Sequence, residues 1–378
     1  MPAAARQQRA SQALAVQRGR ISRLKRAMRS KGLSTLLVTN PPDVRYLTSF
    51  HGEASWLIIG PGKPVVISDF RLAEDLAPIR SLAKVVIRSG ETMVDAVAKV
   101  MGRGRTKLGV PRAHLTLDEY AQLTSALGAS RLVATGGLIG ALRERKDAGE
   151  VTVLRKAIRM QEAALRNVLP TIEPGQTESE VCALLEYEMK ALGADGPSFE
   201  TIIAAGANSS KPHARPGRTK VRRGQLLLID WGACVQGYHG DLTRTFTIGK
   251  WPRKFEDIYS IVLDAQLAAI DAIKPGILSS DVDKVARDII TKAGYGDAFG
   301  HGLGHGIGLN IHEAPSLGRT ASGRPPSVLQ PGMVVTVEPG IYLPGAGGVR
   351  IEDDVLVTER GRRVLSTLPK DKKWAKLA

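Results

Sequence analysis

Residues 301–313 read HGLGHGIGLNIHE and hold three histidines and four glycines within thirteen positions. Histidine is both a metal ligand and a general acid–base group, and glycine allows neighbouring backbones to approach closely. The whole chain has seven histidines in 378 residues, so three of them in one short segment are a marked concentration. The segment therefore predicts a functional site whose other members lie elsewhere in the chain.

Two aspartates stand in strand-like sequence, where carboxylates are out of place. Asp230 ends the apolar run LLLID, and Asp241 follows it in GYHGDLTRTF. Strands disfavour Asp, and a buried carboxylate is costly unless it is paired or binds a cation. A hairpin folded about residues 235 and 236 sets Asp230 roughly opposite Asp241, with the side chains ~5 Å apart. Two carboxylates this close repel each other unless a cation lies between them.

A second pair of acids is also placed opposite each other by a predicted hairpin. Glu338 ends VVTVE and Glu352 lies in VRIEDD, with a turn centred on Gly345 between them, which sets the two glutamates opposite each other. Four carboxylates need about two divalent ions, or raised pKa values, to coexist. His305 can complete an oxygen-rich set of ligands. Such a set suits two ions of manganese, cobalt, iron or zinc, ~3.5–4 Å apart.

Each of these residues also has a simpler interpretation. Asp230 can be a cap or turn residue, the acids at 352–354 can be a solvated run, and His305 can be a turn residue in a glycine-rich loop. Because two acid hairpins of the same layout occur together with residues 301–313, a shared role in metal binding is favoured over these three separate local interpretations.

The rest of the chain alternates strand and helix patterns. Short runs rich in Val, Ile and Leu predict strands at residues 34–39, 55–60, 64–68, 83–89 and 131–135. Helical spacing predicts helices at residues 71–80, 91–101, 116–127, from Asp147 to about Pro170, after Thr177, and at 254–273 and 279–293. Because a pair of helices precedes each hairpin block, the second part of the chain is predicted to consist of two similar halves.

The segment 301–313 resembles the signature of the proline-specific branch of the pitta-bread metallopeptidases, which contains aminopeptidase P and prolidase. Residues from about 146 to 366 resemble the catalytic domain of that family, and residues from about 20 to 135 resemble its N-terminal domain. The resemblance implies an α/β (α+β) fold. In it, a pitta-bread catalytic domain of two pseudo-symmetric αβ halves follows a smaller creatinase-type N-terminal α/β domain.

The resemblance also implies the roles of the site residues. The expected ligands of two divalent ions per subunit, manganese before cobalt, zinc or iron, are Asp230, Asp241, His305, Glu338 and Glu352. Catalytic or substrate-binding roles are implied for His213, His301 and His312, beside Glu338 as general base. Arg350 and Tyr342 match residues that orient Asp230 in the family.

The expected activity is that of an Xaa-Pro aminopeptidase, which uses metal-activated hydroxide on the peptide bond before proline. The alternative is an Xaa-Pro dipeptidase, which must bind the free carboxylate of its substrate, usually with Arg. Ser316 stands after HEAP, where many dipeptide-cleaving relatives carry Arg, although Arg319 and Arg324 lie on the same loop. A remote alternative is an inactive binding protein of the same fold that uses its basic termini.

Charge is concentrated at the two ends of the chain. The net charge is +16, but residues 1–40 hold nine Arg or Lys and no acid, and residues 359–378 carry a net +5. Solvated basic ends are favoured over nucleic-acid binding, because aromatic residues for stacking on bases make up only 4%. The predicted domains are a basic extension at 1–20, an N-terminal domain at 21–142, a catalytic domain at 146–366 and a basic tail at 367–378.

The first 30 residues have two possible interpretations. They are acid-free and amphipathic, like a transit peptide. The favoured interpretation is an N-terminal helix with Ile21, Leu24 and Met28 packing inward.

Location and assembly are predicted from simpler features. No apolar run approaches the ~18 residues of a membrane span. Two cysteines cannot form a disulfide framework, which indicates a reducing cytoplasm. The resemblance further implies a homodimer that acts on proline-containing peptides or dipeptides.

Overall fold

The computed structural model describes residues 3–51, 53–319 and 325–377, with side chains from residue 11 onward. The chain divides into two compact units between Arg143 and Glu144. Both units mix helices and strands, so the predicted α/β class is confirmed. Among the described residues, no helix is both long and apolar enough to cross a bilayer.

The first unit is built on a six-stranded sheet with the order β4-β3-β2-β1-β5-β6. Its strands are β1 Leu36–Val38, β2 Trp56–Ile59, β3 Val65–Ser68, β4 Lys84–Ile87, β5 Leu108–Pro111 and β6 Leu132–Thr135. Its helices are α1 Ala3–Arg29, α2 Pro41–Thr48, α3 Met93–Met101, α4 Leu117–Leu127 and α5 Leu138–Arg143. The five predicted strands are confirmed as β1–β4 and β6, and two predicted helices are confirmed as α3 and α4.

Two local predictions in this unit are wrong. Residues 71–80 form no regular helix but two short 3₁₀ turns, because Pro78 lacks the N–H that a helix interior requires. Strand β5 was not predicted, since its sequence LGVP contains Gly109 and Pro111, two residue types that strands disfavour. Gly109 fits there because a Cβ would press on Leu36 and Thr135 of the neighbouring strands.

Helix α1 confirms the favoured interpretation of the N-terminus. Ile21, Leu24 and Met28 are buried, as predicted. Gln17 and Arg20 are buried as well, so the helix continues without a break through the domain boundary predicted at residue 20.

The second unit repeats one layout twice: a helix pair followed by a block of strands. The first block contains helices α6 Ala148–Val168 and α7 Glu178–Ala191 and strands β7 Gly196–Pro197, β8 Ile202–Ala205, β9 Leu226–Trp231, β10 Ala233–Val235, β11 Tyr238–His239 and β12 Leu242–Ile248. The second contains α8 Arg253–Ala272, α9 Ser279–Lys292, β13 Gly304–Gly306, β14 Glu313–Leu317, β15 Val334–Val337, β16 Gly340–Leu343, β17 Gly347–Arg350, β18 Asp353–Thr358, β19 Gly361–Val364 and β20 Lys376–Leu377. One large apolar core runs through both blocks.

The helix starts in this unit follow from their caps. Asp147 accepts a hydrogen bond from the backbone of Glu150, whose carboxylate accepts one in return, so α6 begins where predicted. Thr177 and Glu180 form the same reciprocal cap at the start of α7. The predicted helices at 254–273 and 279–293 are confirmed as α8 and α9.

The C-terminal residues pack against the fold, although they were predicted to be a solvated basic tail from residue 367. Leu368 and Ala375 are buried, and the ring of Trp374 lies 5.3 Å from that of Phe246. Strand β20 pairs with β12. The physical reason is that the segment contains apolar residues that pack inward, while Lys373 and Lys376 are exposed and Lys370 binds the buried Asp353.

The registers of the two acid hairpins differ in how well they were predicted. The second is confirmed: Val337 pairs with Asp353 and Gly340 with Arg350, which places Glu338 opposite Glu352 between these pairs. The first is displaced by two residues, because the turn falls at Gln236 and Gly237. Asp230 therefore pairs with Thr243 instead of Asp241.

Candidate metal centre

The two acid hairpins meet through backbone hydrogen bonds. The Glu352 N–H donates to the Thr243 carbonyl at 3.1 Å, and the Asp241 N–H donates to the Asp354 carboxylate at 3.2 Å. Residues more than 100 positions apart are joined in this way. As a result, the carboxylates of both hairpins face one cleft.

Three of the predicted ligands form a tight carboxylate cluster. Oxygen atoms of Asp230, Asp241 and Glu352 all lie within 4.8 Å of one another, and the three residues are buried. The interpretation of residues 352–354 as a solvated acidic run is therefore wrong. All three acids of that run are buried, because strand β18 lies inside the fold.

The other two predicted ligands join the cluster through the histidine. The His305 Nε2 lies 3.6 Å from Asp241 and 3.4 Å from Glu338. The His305 Nδ1 lies 3.1 Å from the Gly306 carbonyl, which can only accept a hydrogen bond. Nδ1 therefore carries the proton, and the lone pair of Nε2 points at the carboxylates, as a metal-ligating histidine requires.

The electrostatics of this cluster fit divalent cations. Asp230 Oδ1 and Glu352 Oε1 are buried without a hydrogen-bond partner among the described residues. Burial and then the charges of Glu352, Asp230 and Glu338 raise the pKa of Asp241 well above its usual range, and burial raises the pKa of Glu338 to about 7. Buried oxygens without a donor and mutually repelling carboxylates are what a bound cation would satisfy.

The histidine of the cluster is neutral over the same pH range. Burial, with a contribution from His312, lowers the pKa of His305 to about 4. A neutral imidazole and carboxylates together form a donor set that suits divalent transition ions.

Arg350 supports the cluster from one side. It donates to the Asp230 carboxylate at 2.5 Å, to the Tyr342 hydroxyl at 2.9 Å and to the Thr243 hydroxyl at 2.9 Å. The expected contact of Arg350 with Asp230 is thus present, and Tyr342 reaches Asp230 through Arg350. The Thr243 hydroxyl in turn donates to Glu352 at 2.7 Å.

His301 lies at the end of this hydrogen-bonded chain. Its Nδ1 lies 2.7 Å from the Gly302 carbonyl, so Nδ1 is the protonated nitrogen, and its Nε2 accepts from the Tyr342 hydroxyl at 3.0 Å. Burial lowers the pKa of His301 to about 4, which keeps the ring neutral. The ring is therefore held in one orientation by groups on both sides.

The glycines of the segment 301–313 are explained by close backbone packing. Strand β13 lies between β14 and β15. A Cβ at Gly304 would collide with the Thr336 carbonyl oxygen, and one at Gly306 would collide with that of Ala314. These glycines allow His305 to reach the carboxylates from the strand between them.

The cluster opens into a cleft of about 1120 Å³ within the second unit. Its lining includes all five predicted ligands together with His213, His301 and His312. His213 and His312 are exposed to solvent, and the ring of His312 lies 4.3 Å from that of His305. Arg350 and Tyr342 line the same cleft, so every site residue predicted from the sequence lies there.

Several supporting residues were missed at the sequence level. Thr243, Thr336 and Asp354 each bind a predicted ligand directly: Thr336 donates to Glu338 at 3.2 Å and accepts from the His305 N–H at 3.0 Å. The alternation of polar residues in DLTRTFT, from Asp241 onward, was the available signal, because a strand with one polar face inside a core must use it.

Comparison with known proteins agrees with this geometry. The family model described as metallopeptidase family M24 matches residues 152–359, more than half of the chain. The chain belongs to metallopeptidase family M24. A second model, described as the creatinase/prolidase N-terminal domain, matches residues 20–145. The predicted resemblance, the pitta-bread fold and the class of metal-dependent hydrolase are thus confirmed.

Solved structures of the family resemble the whole chain. An Xaa-Pro dipeptidase from Bacillus anthracis is 39% identical, with 94% of this chain and 99% of that one covered and a TM-score of 0.88. The X-Pro aminopeptidase from Thermotoga maritima MSB8 is 34% identical, with 92% and 99% covered and a TM-score of 0.83. The prolidase from Pyrococcus horikoshii OT3 is 32% identical, with 94% and 99% covered and a TM-score of 0.86.

Proposed function

We propose that this chain is a metal-dependent Xaa-Pro dipeptidase, which hydrolyses the bond between the first residue of a dipeptide and its proline. The observation that carries the proposal is the convergence of five carboxylate and imidazole ligands at one cleft of an M24 chain. Two of the three similar structures are named dipeptidase or prolidase. This favours the dipeptidase alternative over the aminopeptidase that Ser316 led us to expect.

Xaa-Pro aminopeptidase activity is the second candidate. Ser316 is exposed at the cleft, where it offers no cation to a free carboxylate. Arg319 is exposed and lines a smaller cavity with His301, and Arg324 lies outside the described residues. The Thermotoga maritima structure named X-Pro aminopeptidase also supports this candidate.

The proposed cofactor is a pair of divalent ions per subunit, with manganese before cobalt, zinc or iron. They would be held by Asp230, Asp241, His305, Glu338 and Glu352. When bound, the ions supply Lewis acidity toward water and toward the substrate carbonyl.

Glu338 is the proposed general base. With the ions bound, Glu338 would be held as a carboxylate, which can accept the proton of the attacking water. The Thr336 hydroxyl donates a hydrogen bond to Glu338 Oε1 at 3.2 Å and so orients it.

The three remaining histidines have separate proposed roles. His312 and His213 are exposed in the cleft and can each donate a hydrogen bond to the oxyanion of the attacked carbonyl. His301 is held neutral between Gly302 and Tyr342, so it positions the proline end of the substrate.

The test compares an Ala-Pro dipeptide with an Ala-Pro-Ala tripeptide, each incubated with the protein and added manganese. Cleavage of the dipeptide with the tripeptide intact is the expected result. The opposite pattern would establish the aminopeptidase. If neither peptide is cleaved while manganese is bound, the proposed Xaa-Pro substrate is wrong.

The proposal extends to a homodimer and a cytoplasmic location, and neither cysteine forms a disulfide in the described part of the chain, which suits a reducing compartment. Sedimentation velocity tests the dimer. The remote alternative, an inactive binding protein, predicts that native mass spectrometry finds no stoichiometric divalent ion.

A further inference from the structure

Arg244 is a fully buried cation next to the candidate metal ligands, and it does not line the cleft. Its Nη1 donates to the carbonyls of Thr243, at 2.9 Å, and of Glu352. Thr243 belongs to the first acid hairpin, and Glu352 belongs to the second. One guanidinium group therefore joins the backbones of both hairpins at the point where they cross.

The remaining N–H groups of Arg244 bind the C-terminal segment and an acid beside Glu352. Nε donates to the Pro369 carbonyl at 3.1 Å, and Nη2 donates to the Leu368 carbonyl at 3.1 Å and to Asp353 at 2.8 Å. A guanidinium group has five N–H donors in a rigid plane, whereas a lysine ammonium has three, so a lysine could not satisfy all five of these acceptors. All of its donors are thus used inside the fold.

Lys370 adds a second cation beside Asp353 from the C-terminal segment. It donates to Asp353 at 2.6 Å and to the Gln266 side-chain oxygen at 2.9 Å, and the Gln266 amide donates to Asp353 at 2.8 Å. Each oxygen of the buried Asp353 carboxylate therefore accepts a hydrogen bond from a cationic side chain, directly next to Glu352 in the chain.

We propose that Arg244, Asp353 and Lys370 form a positioning cluster that sets Glu352 against the first acid hairpin and thereby sets the affinity of the site for divalent ions. The proposal rests on the proposed metal-dependent function. It assigns a task to the C-terminal segment: Lys370 and the carbonyls of residues 368 and 369 hold Arg244 and Asp353 in place. The Thr243 hydroxyl then meets the Glu352 carboxylate in a fixed geometry.

The test measures manganese binding by titration calorimetry on full-length protein that has been stripped with a chelator. Lys370→Met removes one partner of Asp353 and should weaken manganese binding on the order of tenfold, the lower end of what loss of an outer-shell partner costs. Lys370→Arg should restore most of the affinity. The matched control is Lys372→Gln in the same segment, because Lys372 pairs only with the half-exposed side chain of Glu256 among the ion pairs of the described residues. This variant protein should bind manganese like the wild type.

A purely structural role would give a different pattern. Lys370→Met would then lower the thermal midpoint but bind manganese within about twofold of the wild type, which would overturn the proposal. Arg244→Lys should weaken binding more than Lys370→Met, and its folding is checked by circular dichroism. If the wild-type protein itself binds no manganese, the proposed function fails, and that result is distinct from failure of the positioning cluster.

Discussion

The two acid hairpins deliver the same chemistry with different registers. In the second hairpin Glu338 and Glu352 lie directly opposite each other. In the first, Thr243 lies opposite Asp230, and Asp241 lies two residues before Thr243, nearer the turn. Both arrangements place the two carboxylates on one face, because side chains alternate along a strand with a period of two. A shift of two residues is therefore tolerated, whereas a shift of one would turn a ligand away from the cleft.

The difference in register also gives the threonines different tasks. In the first hairpin, the displaced register puts Thr243 where it donates across to Glu352 at 2.7 Å and accepts from Arg350. In the second, Thr336 donates within its own strand to Glu338 at 3.2 Å. The first hairpin thus joins the two halves of the site, and the second mainly orients its own ligand.

Removing one acid from the first hairpin should have the largest effect. Asp241→Asn removes a candidate ligand, so manganese affinity should fall by more than the roughly 10–100-fold that loss of a supporting contact costs. The same change relieves repulsion among buried carboxylates. The metal-free protein should therefore become more stable, because burial and the neighbouring carboxylates disfavour the charged form of Asp241 and Asn carries no charge.

Calorimetry with and without manganese measures both effects of Asp241→Asn. The control is Asp264→Asn, an exposed acid on α8 that should change neither quantity. A variant that keeps the manganese-induced rise in midpoint would contradict the assignment of Asp241 as a ligand.

The pH dependence of stability should reveal the raised pKa of Glu338 in the second hairpin. The pKa of Glu338 is raised from 4.5 to about 7, so the folded metal-free protein binds a proton there that the unfolded chain has already released. Stability from this group is present below pH 4.5 and is lost as the pH rises through about 7. His301 and His305, with pKa values lowered to about 4, act in the opposite direction below pH 6.5.

At pH 6.5 the histidines of the unfolded chain are still half protonated, so the contribution of Glu338 is measured as a difference between variants. As the pH rises through about 7, the midpoint of chelator-treated wild type should fall by more, or rise by less, than that of Glu338→Gln. Saturating manganese should remove the same difference, because metal ligands are deprotonated when bound. Equal slopes for wild type and Glu338→Gln would show that Glu338 titrates normally.

The smallest effect distinguishes the two threonines. Thr243→Val should weaken manganese binding more than Thr336→Val, by roughly 10-fold against a few-fold, because Thr243 supports Glu352 and Arg350 at short distances. Parallel binding titrations on the two variants provide the comparison. The reverse order would mean that the contact between the hairpins matters less than the orientation of Glu338.

Local features of the fold were predictable because they depend on near neighbours in the chain. Helices α6 and α7 begin at Asp147 and Thr177 since a reciprocal cap involves four successive residues. The second hairpin register followed from its turn at Gly345. The predicted register of the first hairpin was wrong by two residues. Its turn lies at Gln236–Gly237, both in the left-handed backbone region, and the distance of Asp230 from Asp241 in the sequence does not locate that turn.

The amino-acid sequence by itself determined the types of the candidate ligands, their order along the chain and the presence of two acid hairpins, since strand alternation and turn residues act over short distances. Only the tertiary structure decided that the Glu352 N–H meets the Thr243 carbonyl, that Arg244 joins both hairpins, and that the basic C-terminal segment is packed inside. These contacts join residues up to about 125 positions apart. They depend on how the whole core packs, which no local pattern encodes.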